Sequence, residues 1–247
     1  MKLNVNIDHF ATVRNARGNE YPSPIRAAIM AEEAGADGIV AHLREDRRHI
    51  RDEDIYELRK VVKGQFDLEM SLDEGIIEIA LDVKPDLVTL VPEKREELTT
   101  EGGLDLGFSA TRIEEAIKKF SGIGVPVSLF IEPDENVVRQ AHKLGADMVE
   151  LHTGHFADIF LMEGLSQKAR GILESIKKST LLAVELGMKV AAGHGLTLKN
   201  TKYLASIEEI YELSIGHALV SDAMFYGLEN SVKMYKNEIS KPENIKF

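Results

Sequence analysis

Two glutamates lie inside apolar segments, where a carboxylate is unusual. Glu69 stands in "FDLEMS" and Glu150 in "DMVELHT". Burying a carboxylate is costly, and burial raises its pKa towards the range that suits general acid–base catalysis. The alternative is a structural ion pair with a buried arginine or lysine. We interpret the two glutamates as candidates for proton transfer.

Most histidines also occupy one kind of position. Of the eight in the chain, seven lie at or just after the end of a short apolar segment: His9, His42, His49, His152, His155, His194 and His217. His142, in contrast, lies within a predicted helix. Further polar residues follow the same segments, namely Asn6, Asp8, Arg44, Thr99 and Thr100. Stability alone gives no reason to concentrate titratable groups in this way, so the pattern predicts an active site.

Two kinds of segment could bind phosphate. "AGHGL" and "SIGHALVSDA" place glycines where helices are predicted to begin, and helix N-termini bind anions through backbone N–H groups. A basic cluster in the first quarter of the chain suits phosphate because a guanidinium donates two parallel hydrogen bonds. It contains Arg17, Arg44, Arg47, Arg48, His49 and Arg51. For Arg47, Arg48 and Arg51, a solvated helix start with internal ion pairs is an alternative.

The elements that must position these residues form a repeat. Eight apolar strand segments are each followed by a helical pattern: "LNVNID", "GIVAHL", "FDLEMS", "DLVTLVP", "PVSLFIE", "DMVELHT", "KVAAGHG" and "IYELSIG". After the first strand we predict a loop up to "YPSP". Eight such units predict an α/β protein, a (β/α)8 TIM barrel with residues 1–247 as one catalytic domain. The alternative, a doubly wound open sheet, would need a GxGxxG turn, which "NIDHFATVRNARG" lacks.

Composition narrows the class of protein. The 247 residues are 44% hydrophobic and 29% charged, as in ordinary globular proteins. A net charge of −11 argues against a nucleic-acid partner, and the absence of cysteine excludes disulfides and cysteine-based metal sites. The sequence shows neither the apolar core of a signal peptide nor a membrane span. We expect a soluble cytoplasmic protein without a membrane partner.

Three other chemistries fit the sequence less well. A Schiff-base aldolase needs a lysine at a strand end, and Lys94 comes nearest but falls in a loop. A metal-dependent hydrolase or lyase could use "HTGH" with His194, although an HxH pair after the first strand is missing. A barrel that only binds sugar phosphates has no use for Glu69 and Glu150 pointing inward.

The motifs together resemble those of a known family. They are "VNIDHFATVRNARG", "GADGIVAHLREDRRHI", "LEMS", "LVPEKREELTTEGGLD", "VSLFIE", "ELHTG", "AGHGL" and "IGHALV". In this order they resemble the signatures of the pyridoxine 5′-phosphate synthase family, from the first strand to the eighth. The resemblance is weaker in "HTGHFA", which has histidine and phenylalanine where the family often has a small residue and tyrosine, and we do not align "DIFLMEGLSQ" after it. His155 is therefore left out of the candidate site.

The resemblance implies a ring-closing transferase reaction without metal or cofactor. In this family, 1-deoxy-D-xylulose 5-phosphate and 3-amino-2-oxopropyl phosphate form a Schiff base, and dehydration and phosphate elimination yield pyridoxine 5′-phosphate, inorganic phosphate and water. Two phosphorylated substrates need two anion sites. One substrate carries its own amine, so an enzyme lysine is not needed.

The resemblance also implies residue roles. His42 and Glu69 would accept protons, His194 would donate one, and Glu150 would stabilise charge in the transition state. The deoxyxylulose phosphate would be bound by Asp8, His9, Arg17, Arg44, His49 and Thr99. The aminoketone phosphate would be bound by Asn6, Gly195, Gly216 and His217. "EKREELTTEGGLDLG" would be a lid, and the family implies a homo-octamer.

Overall fold

The computed structural model describes residues 1–93 and 102–242, and the strands in this part form a closed parallel barrel. The strands are β1 (Lys2–Asn6), β2 (Gly38–Leu43), β3 (Gln65–Met70), β4 (Leu87–Leu90), β5 (Val127–Ile131), β6 (Met148–His152), β7 (Lys189–Gly193) and β8 (Glu212–Ile215). Each strand pairs with the next one in the sequence. The barrel closes where β8 pairs with β1, with Leu213 opposite Leu3. The predicted (β/α)8 barrel is confirmed.

Helices surround the barrel. They are α1 (Asp8–Arg17), α2 (Pro24–Glu33), α3 (Asp52–Val61), α4 (Glu74–Val83), α5 (Ala110–Ser121), α6 (Glu135–Leu144), α7 (Gly154–Glu163), α8 (Gln167–Glu185), α9 (Thr201–Leu204), α10 (His217–Tyr226) and α11 (Leu228–Ser240). Several begin at a side-chain cap: Ser23 accepts from the N–H of Arg26 at 3.3 Å, and Asp134 from that of Asn136 at 2.8 Å. In the described part of the chain, no helix combines the length and apolarity needed to cross a membrane.

The strands have an apolar outer face and a polar inner one. In β1, Leu3 and Val5 belong to the main core between barrel and helices, whereas Asn6 lines a cavity inside. Gln65 on β3 donates to Glu212 on β8 at 3.2 Å, although β3 and β8 are not neighbours. This hydrogen bond therefore crosses the lumen. Barrel interiors are usually filled by branched apolar side chains, so a polar lumen indicates a special use.

Two helices follow strand ends where the sequence did not predict them. The segment after β1, predicted as a loop, forms α1, and α7 directly follows β6. The buried residues of α1 are Asp8, Ala11 and Arg14, which recur at helical spacing. Two of the three are charged, so a search for apolar periodicity overlooks this helix. The structure corrects the loop prediction.

Two other boundaries differ from the prediction. The helix expected in "LKNTKYLASI" is reduced to the four residues of α9. The long helix expected before the C-terminus is divided into α10 and α11 at Gly227, whose φ of 80° is outside the helical range. Neither change affects the strand ends, which carry the candidate site.

Candidate active site

A cavity of about 670 Å³ opens at the carboxyl ends of the barrel strands. Twelve of the fourteen predicted site residues line it: Asn6, Asp8, His9, His42, Arg44, His49, Glu69, Glu150, His194, Gly195, Gly216 and His217. In sequence they span more than two hundred positions. The carboxyl ends of parallel strands bring them together, as a barrel enzyme requires.

The remaining two predicted residues are placed differently. Arg17 lies at the exposed end of α1 and does not line the cavity. Thr99 lies outside the described residues, as do positions 94–101 of the predicted lid. His155, which we left out of the site, is exposed on α7.

Asn6 and Asp8 connect the start of α1 to the strands beside it. The Asn6 amide donates to Asp8 Oδ2 at 2.9 Å and lies 3.5 Å from Glu69 Oε2. Asp8 Oδ1 accepts from the backbone N–H of His42 at 2.9 Å. The end of β1 is thus tied to β2 and β3, which fixes these polar groups relative to one another.

His42 lies between two carboxylates. Its Nε2 is 2.9 Å from Glu93 Oε1, and its Nδ1 is 3.9 Å from Glu69 Oε2. Although burial alone would raise the pKa of Glu93, the hydrogen bond and charge of His42 lower it overall, so Glu93 is an anion that can only accept. The Nε2–H of His42 donates to Glu93, which leaves Nδ1 facing Glu69 and the cavity.

Glu69 and Glu150 are the buried carboxylates expected from the sequence. Burial, followed by the charges of Glu150 and Asp8, raises the pKa of Glu69 well above its usual value. Burial and the charge of Glu212 raise the pKa of Glu150 to about 8. In the described residues, neither carboxylate has a lysine or arginine within 4 Å, so the alternative of a structural ion pair with such a residue is not supported.

The high pKa of Glu150 makes stability depend on pH. Between about pH 4.5 and pH 8 the unfolded chain loses the Glu150 proton while the native state keeps it, so Glu150 destabilises the fold increasingly as pH rises. We expect Glu150→Gln to gain stability relative to the parent over this range, on the order of a few kcal/mol. Urea unfolding at pH 5 and pH 8 measures this. Glu78→Gln, on the exposed side of α4, is the control and should show no such gain; an equal gain in both variants would contradict the assignment.

Arg44 lies at the first of two candidate anion sites. The residue is 3% exposed, and its Nε has no hydrogen-bond partner in the described structure, with Glu93 Oε2 3.8 Å away. His49, which also lines the cavity, accepts the N–H of Ile50 on Nδ1 at 2.9 Å, so its proton is on Nε2. A buried guanidinium nitrogen without a partner and an imidazole N–H suit an incoming phosphate.

The N-terminus of α10 is the second candidate anion site. Gly216 precedes α10, no side chain caps this helix end, and Gly216, His217 and Ala218 line the cavity. Free N–H groups at a helix N-terminus bind anions. A Cβ on Gly216 would lie 3.0 Å from the Asn6 side chain, so glycine allows the close approach of β8 and β1. Because β1 lies between β8 and β2, Asn6 and Asp8 lie between the two anion sites.

His194 completes the cavity opposite these groups. It follows β7, and burial together with the charge of His152 lowers its pKa to about 4. Its backbone has a φ of 80°, a left-handed conformation that is uncommon for residues other than glycine. A Cβ on Gly193, the last residue of β7, would overlap Glu150 Oε1. Gly193 thus leaves space for the Glu150 carboxyl group in its present position, and the next residue, His194, lines the cavity.

Several residues in or next to the cavity were not predicted as site residues. Glu93, which contacts the cavity residue His42, was only part of the proposed lid, although it follows a strand end as the others do. Thr12 and Thr197 also line the cavity, and so does Arg48, which was named in the basic cluster and pairs with Asp46 at 2.7 Å. The strand-end rule could have indicated Glu93. No sequence signal singles out the two threonines.

One group of side chains in the described part of the chain could bind a metal ion. Within the described ranges, Asp8, His42 and Glu69 can bring one ligand atom each to within 4.8 Å of one another. The set considered from the sequence, "HTGH" with His194, does not form such a group there. A metal site, if used, would therefore lie at β1 to β3.

Solved structures share the fold at low sequence identity. 3-Hexulose-6-phosphate synthase has a TM-score of 0.62 and 19% identity, covering 96% of this chain and 99% of that one. Phosphoribosyl anthranilate isomerase from Thermus thermophilus has a TM-score of 0.58 and 11% identity, covering 97% and 98%. These similarities support the barrel and nothing beyond the fold.

Curated relatives are much closer. Proteins named pyridoxine 5′-phosphate synthase from Photobacterium profundum and Chlorobium chlorochromatii are each 51% identical to this chain. The first aligns over 96% of both chains, the second over 94% of this chain and 97% of its own. Residues 3–241 match the family described as pyridoxal phosphate biosynthesis protein PdxJ. The resemblance seen in the motifs is confirmed: the chain belongs to the PdxJ family.

Proposed function

We propose that this protein synthesises pyridoxine 5′-phosphate by joining 1-deoxy-D-xylulose 5-phosphate to 3-amino-2-oxopropyl phosphate. The names of its curated relatives support this activity. The observation that supports the proposal is one cavity lined by buried carboxylates, histidines, Arg44 and the N-terminus of α10. Ring closure between two phosphate esters needs this combination of groups.

The two phosphates would bind on either side of β1. Arg44 and His49, with Asp8 and His9, would hold the deoxyxylulose phosphate after β1 and β2. Gly195, Gly216 and His217, with Asn6, would hold the aminoketone phosphate at the starts of the segments after β7 and β8. The carbon and nitrogen atoms that react would then meet beside Asn6, Asp8 and Glu69. Arg17 and Thr99 remain predicted ligands of the deoxyxylulose phosphate.

Proton transfers would be divided among four side chains. His42, with Nδ1 free, and Glu69, 3.9 Å away, would accept protons from carbon and oxygen atoms of the joined substrates. Glu150, whose pKa of about 8 keeps it protonated at neutral pH, would donate a hydrogen bond to developing negative charge. His194 would protonate a leaving oxygen once a bound phosphate dianion raises its pKa from about 4.

The Schiff base would form between the two substrates. No lysine lines the cavity in the described part of the chain, which fits an amine supplied by the aminoketone phosphate. Neither a cofactor nor a metal ion enters the proposed mechanism. The substrate amine, the two carboxylic acids and the histidines would suffice for imine formation, dehydration and phosphate elimination.

Product analysis tests this proposal. Purified protein is incubated with both phosphate esters or with each alone, and the products are separated and identified by mass spectrometry. We expect pyridoxine 5′-phosphate only when both are present. Hydrolysis of a single ester without ring formation would contradict the proposal.

A metal-dependent barrel hydrolase or lyase is the second candidate. It is favoured by the approach of Asp8, His42 and Glu69 to within 4.8 Å of one another. Chelation distinguishes the two candidates, because only the metal-dependent enzyme would lose activity after treatment with EDTA.

We also propose that the protein is a homo-oligomer. Large apolar side chains are exposed on two helices that follow strand ends: Leu161 on α7 is 82% exposed, and Phe225 on α10 is 84% exposed. Contiguous exposed apolar patches commonly mark interfaces, and the chain neighbours Met162 and Met224 are exposed as well. The resemblance to the family makes an octamer the expected state, and the mass from light scattering tests it.

A further inference from the structure

Three consecutive residues at the end of β6 have no part in the proposed chemistry and yet surround His194. They are His152, Thr153 and Gly154 of the "ELHTG" motif. His152 is 8% exposed and Thr153 is fully buried. We call these three residues the His194 cradle.

Thr153 holds the backbone of His194. Its hydroxyl lies 2.7 Å from the carbonyl oxygen of Gly193 and 2.6 Å from that of His194, and its N–H donates to the Gly193 carbonyl at 2.8 Å. These contacts bracket the peptide unit in which His194 adopts its left-handed φ of 80°. Such conformations persist when the surroundings hold them, and they are frequent at functional sites.

His152 packs against the His194 ring. The two imidazoles meet edge to face, with centroids 5.1 Å apart and an interplanar angle of 63°. His152 is itself held: its Nδ1 is 2.9 Å from Glu132 Oε1, and its ring contacts Phe130 at 5.3 Å between centroids. The hydrogen bond from His152 lowers the pKa of Glu132, so this partner is ionised at neutral pH. These contacts hold the His152 ring in place beside His194.

Gly154 has no side chain, and this leaves room for the contact between the His152 and His194 rings. A Cβ at this position would lie 2.5 Å from His152 Nε2 and 3.0 Å from His194 Cδ2. The Nε2 atom of His152 is buried and has no hydrogen-bond partner within the described residues. A buried polar atom without a partner is rare in stable cores and indicates a functional constraint.

We propose that His152, Thr153 and Gly154 position His194 for its proton transfer: Thr153 fixes the backbone, His152 fixes the ring, and Gly154 provides the room. They are positioning residues, because they act through His194. The inference rests on the proposed function and extends it to residues for which the resemblance implied no role.

The charges around His194 have a defined pattern. His152 from β6 lowers its pKa, and Asp158 from α7 acts in the opposite direction. Glu132 from β5 and the exposed His155 from α7 lie further out, around His152. Replacing His152 with glutamine removes the imidazole that lowers the pKa of His194, so this pKa should rise. The limb of the kcat–pH profile that reports His194 should move to higher pH.

The test compares two variants of Thr153, one without the side-chain hydroxyl and one with it. Thr153→Val removes the hydroxyl at nearly constant shape, whereas Thr153→Ser keeps it. We expect Thr153→Val to lower kcat about 10- to 100-fold with little change in KM, since a small misplacement of a reacting group has effects of this size. Thr153→Ser should retain most of the parent kcat. His155→Ala, on the exposed side of the next turn, is the control and should match the parent.

The outcomes separate the two proposals. Absence of product with the parent protein would contradict the proposed function. Product with the parent, but equal kcat values for Thr153→Val and Thr153→Ser, would contradict the cradle. An unchanged kcat–pH profile in His152→Gln would contradict the part assigned to His152. A crystal structure of Thr153→Val provides a readout without turnover: we expect His194 to leave positive φ, and an unchanged φ would contradict the part assigned to Thr153.

Discussion

Replacing Glu69 with glutamine should lower kcat by about 10²–10⁴-fold, the usual contribution of a general acid–base group. Glutamine has nearly the same shape and can still accept a hydrogen bond from the Asn6 amide, but it cannot take up a proton. Glu69 Oε2 lies 3.9 Å from His42 Nδ1 and 3.5 Å from Asn6 Nδ2. The replacement therefore alters a group that is in contact with other candidate residues in the cavity. Steady-state kinetics with both phosphate esters measure the effect.

Binding of the deoxyxylulose phosphate should survive this replacement. Its phosphate would contact Arg44 and His49, which the variant leaves intact, so calorimetric affinity should change little. Glu78→Gln is the control, because it makes the same chemical change on the exposed side of α4, the helix that follows β3. This variant should keep its activity. Unchanged turnover in Glu69→Gln would contradict the role of Glu69 as a proton acceptor.

Replacing Arg14 with leucine should lower the free energy of unfolding by about 3–5 kcal/mol, as expected when one partner of a buried ion pair is removed. Arg14 on α1 is 2% exposed and donates two hydrogen bonds to Asp54 on α3, at 2.7 and 2.8 Å. Among the described residues, leucine would leave the buried Asp54 carboxylate with only the N–H of Arg51 as a donor, at 2.8 Å. Urea unfolding measures the loss.

The same replacement should also weaken the first anion site. Arg14 donates to the carbonyl oxygen of His49 at 3.0 Å, and so does Asn15 at 2.8 Å, which together hold the segment that carries His49.

Arg17→Leu is the control for the stability measurement. Arg17 lies on the same helix but is exposed, so the free energy of unfolding should change by no more than about 0.5 kcal/mol. Equal losses in Arg14→Leu and Arg17→Leu would contradict the assignment of the ion pair.

The barrel could be predicted because its strands and most helices follow simple periodicities. Leu3 and Val5 alternate with polar residues, and caps such as Ser23 and Asp134 mark helix starts. Once the strands were known, the strand-end rule located ten of the twelve cavity residues, and the glycine turns "AGHGL" and "SIGHALVSDA" indicated Gly195 and Gly216. That step needs no distances, because parallel strands necessarily collect their carboxyl ends at one rim.

The remaining features depend on which face of an element is buried. Arg14 and Arg17 are three residues apart on α1, and only the folded chain shows that the first is buried in an ion pair and the second exposed. The contact of His42 with Glu93, and that of His152 with His194, join residues from different strand ends. Spacing along one strand does not encode such pairs, so sequence patterns identify the groups without their partners.

The most direct test of the proposed chemistry is the ratio of the two products in the absence of metal ions. EDTA-treated protein is mixed with both phosphate esters, and pyridoxine 5′-phosphate is followed by its absorbance while released inorganic phosphate is measured in the same samples. The proposed mechanism predicts equal amounts of both products and no reaction when either ester is omitted. Phosphate release from one ester alone, or loss of activity on chelation, would contradict it.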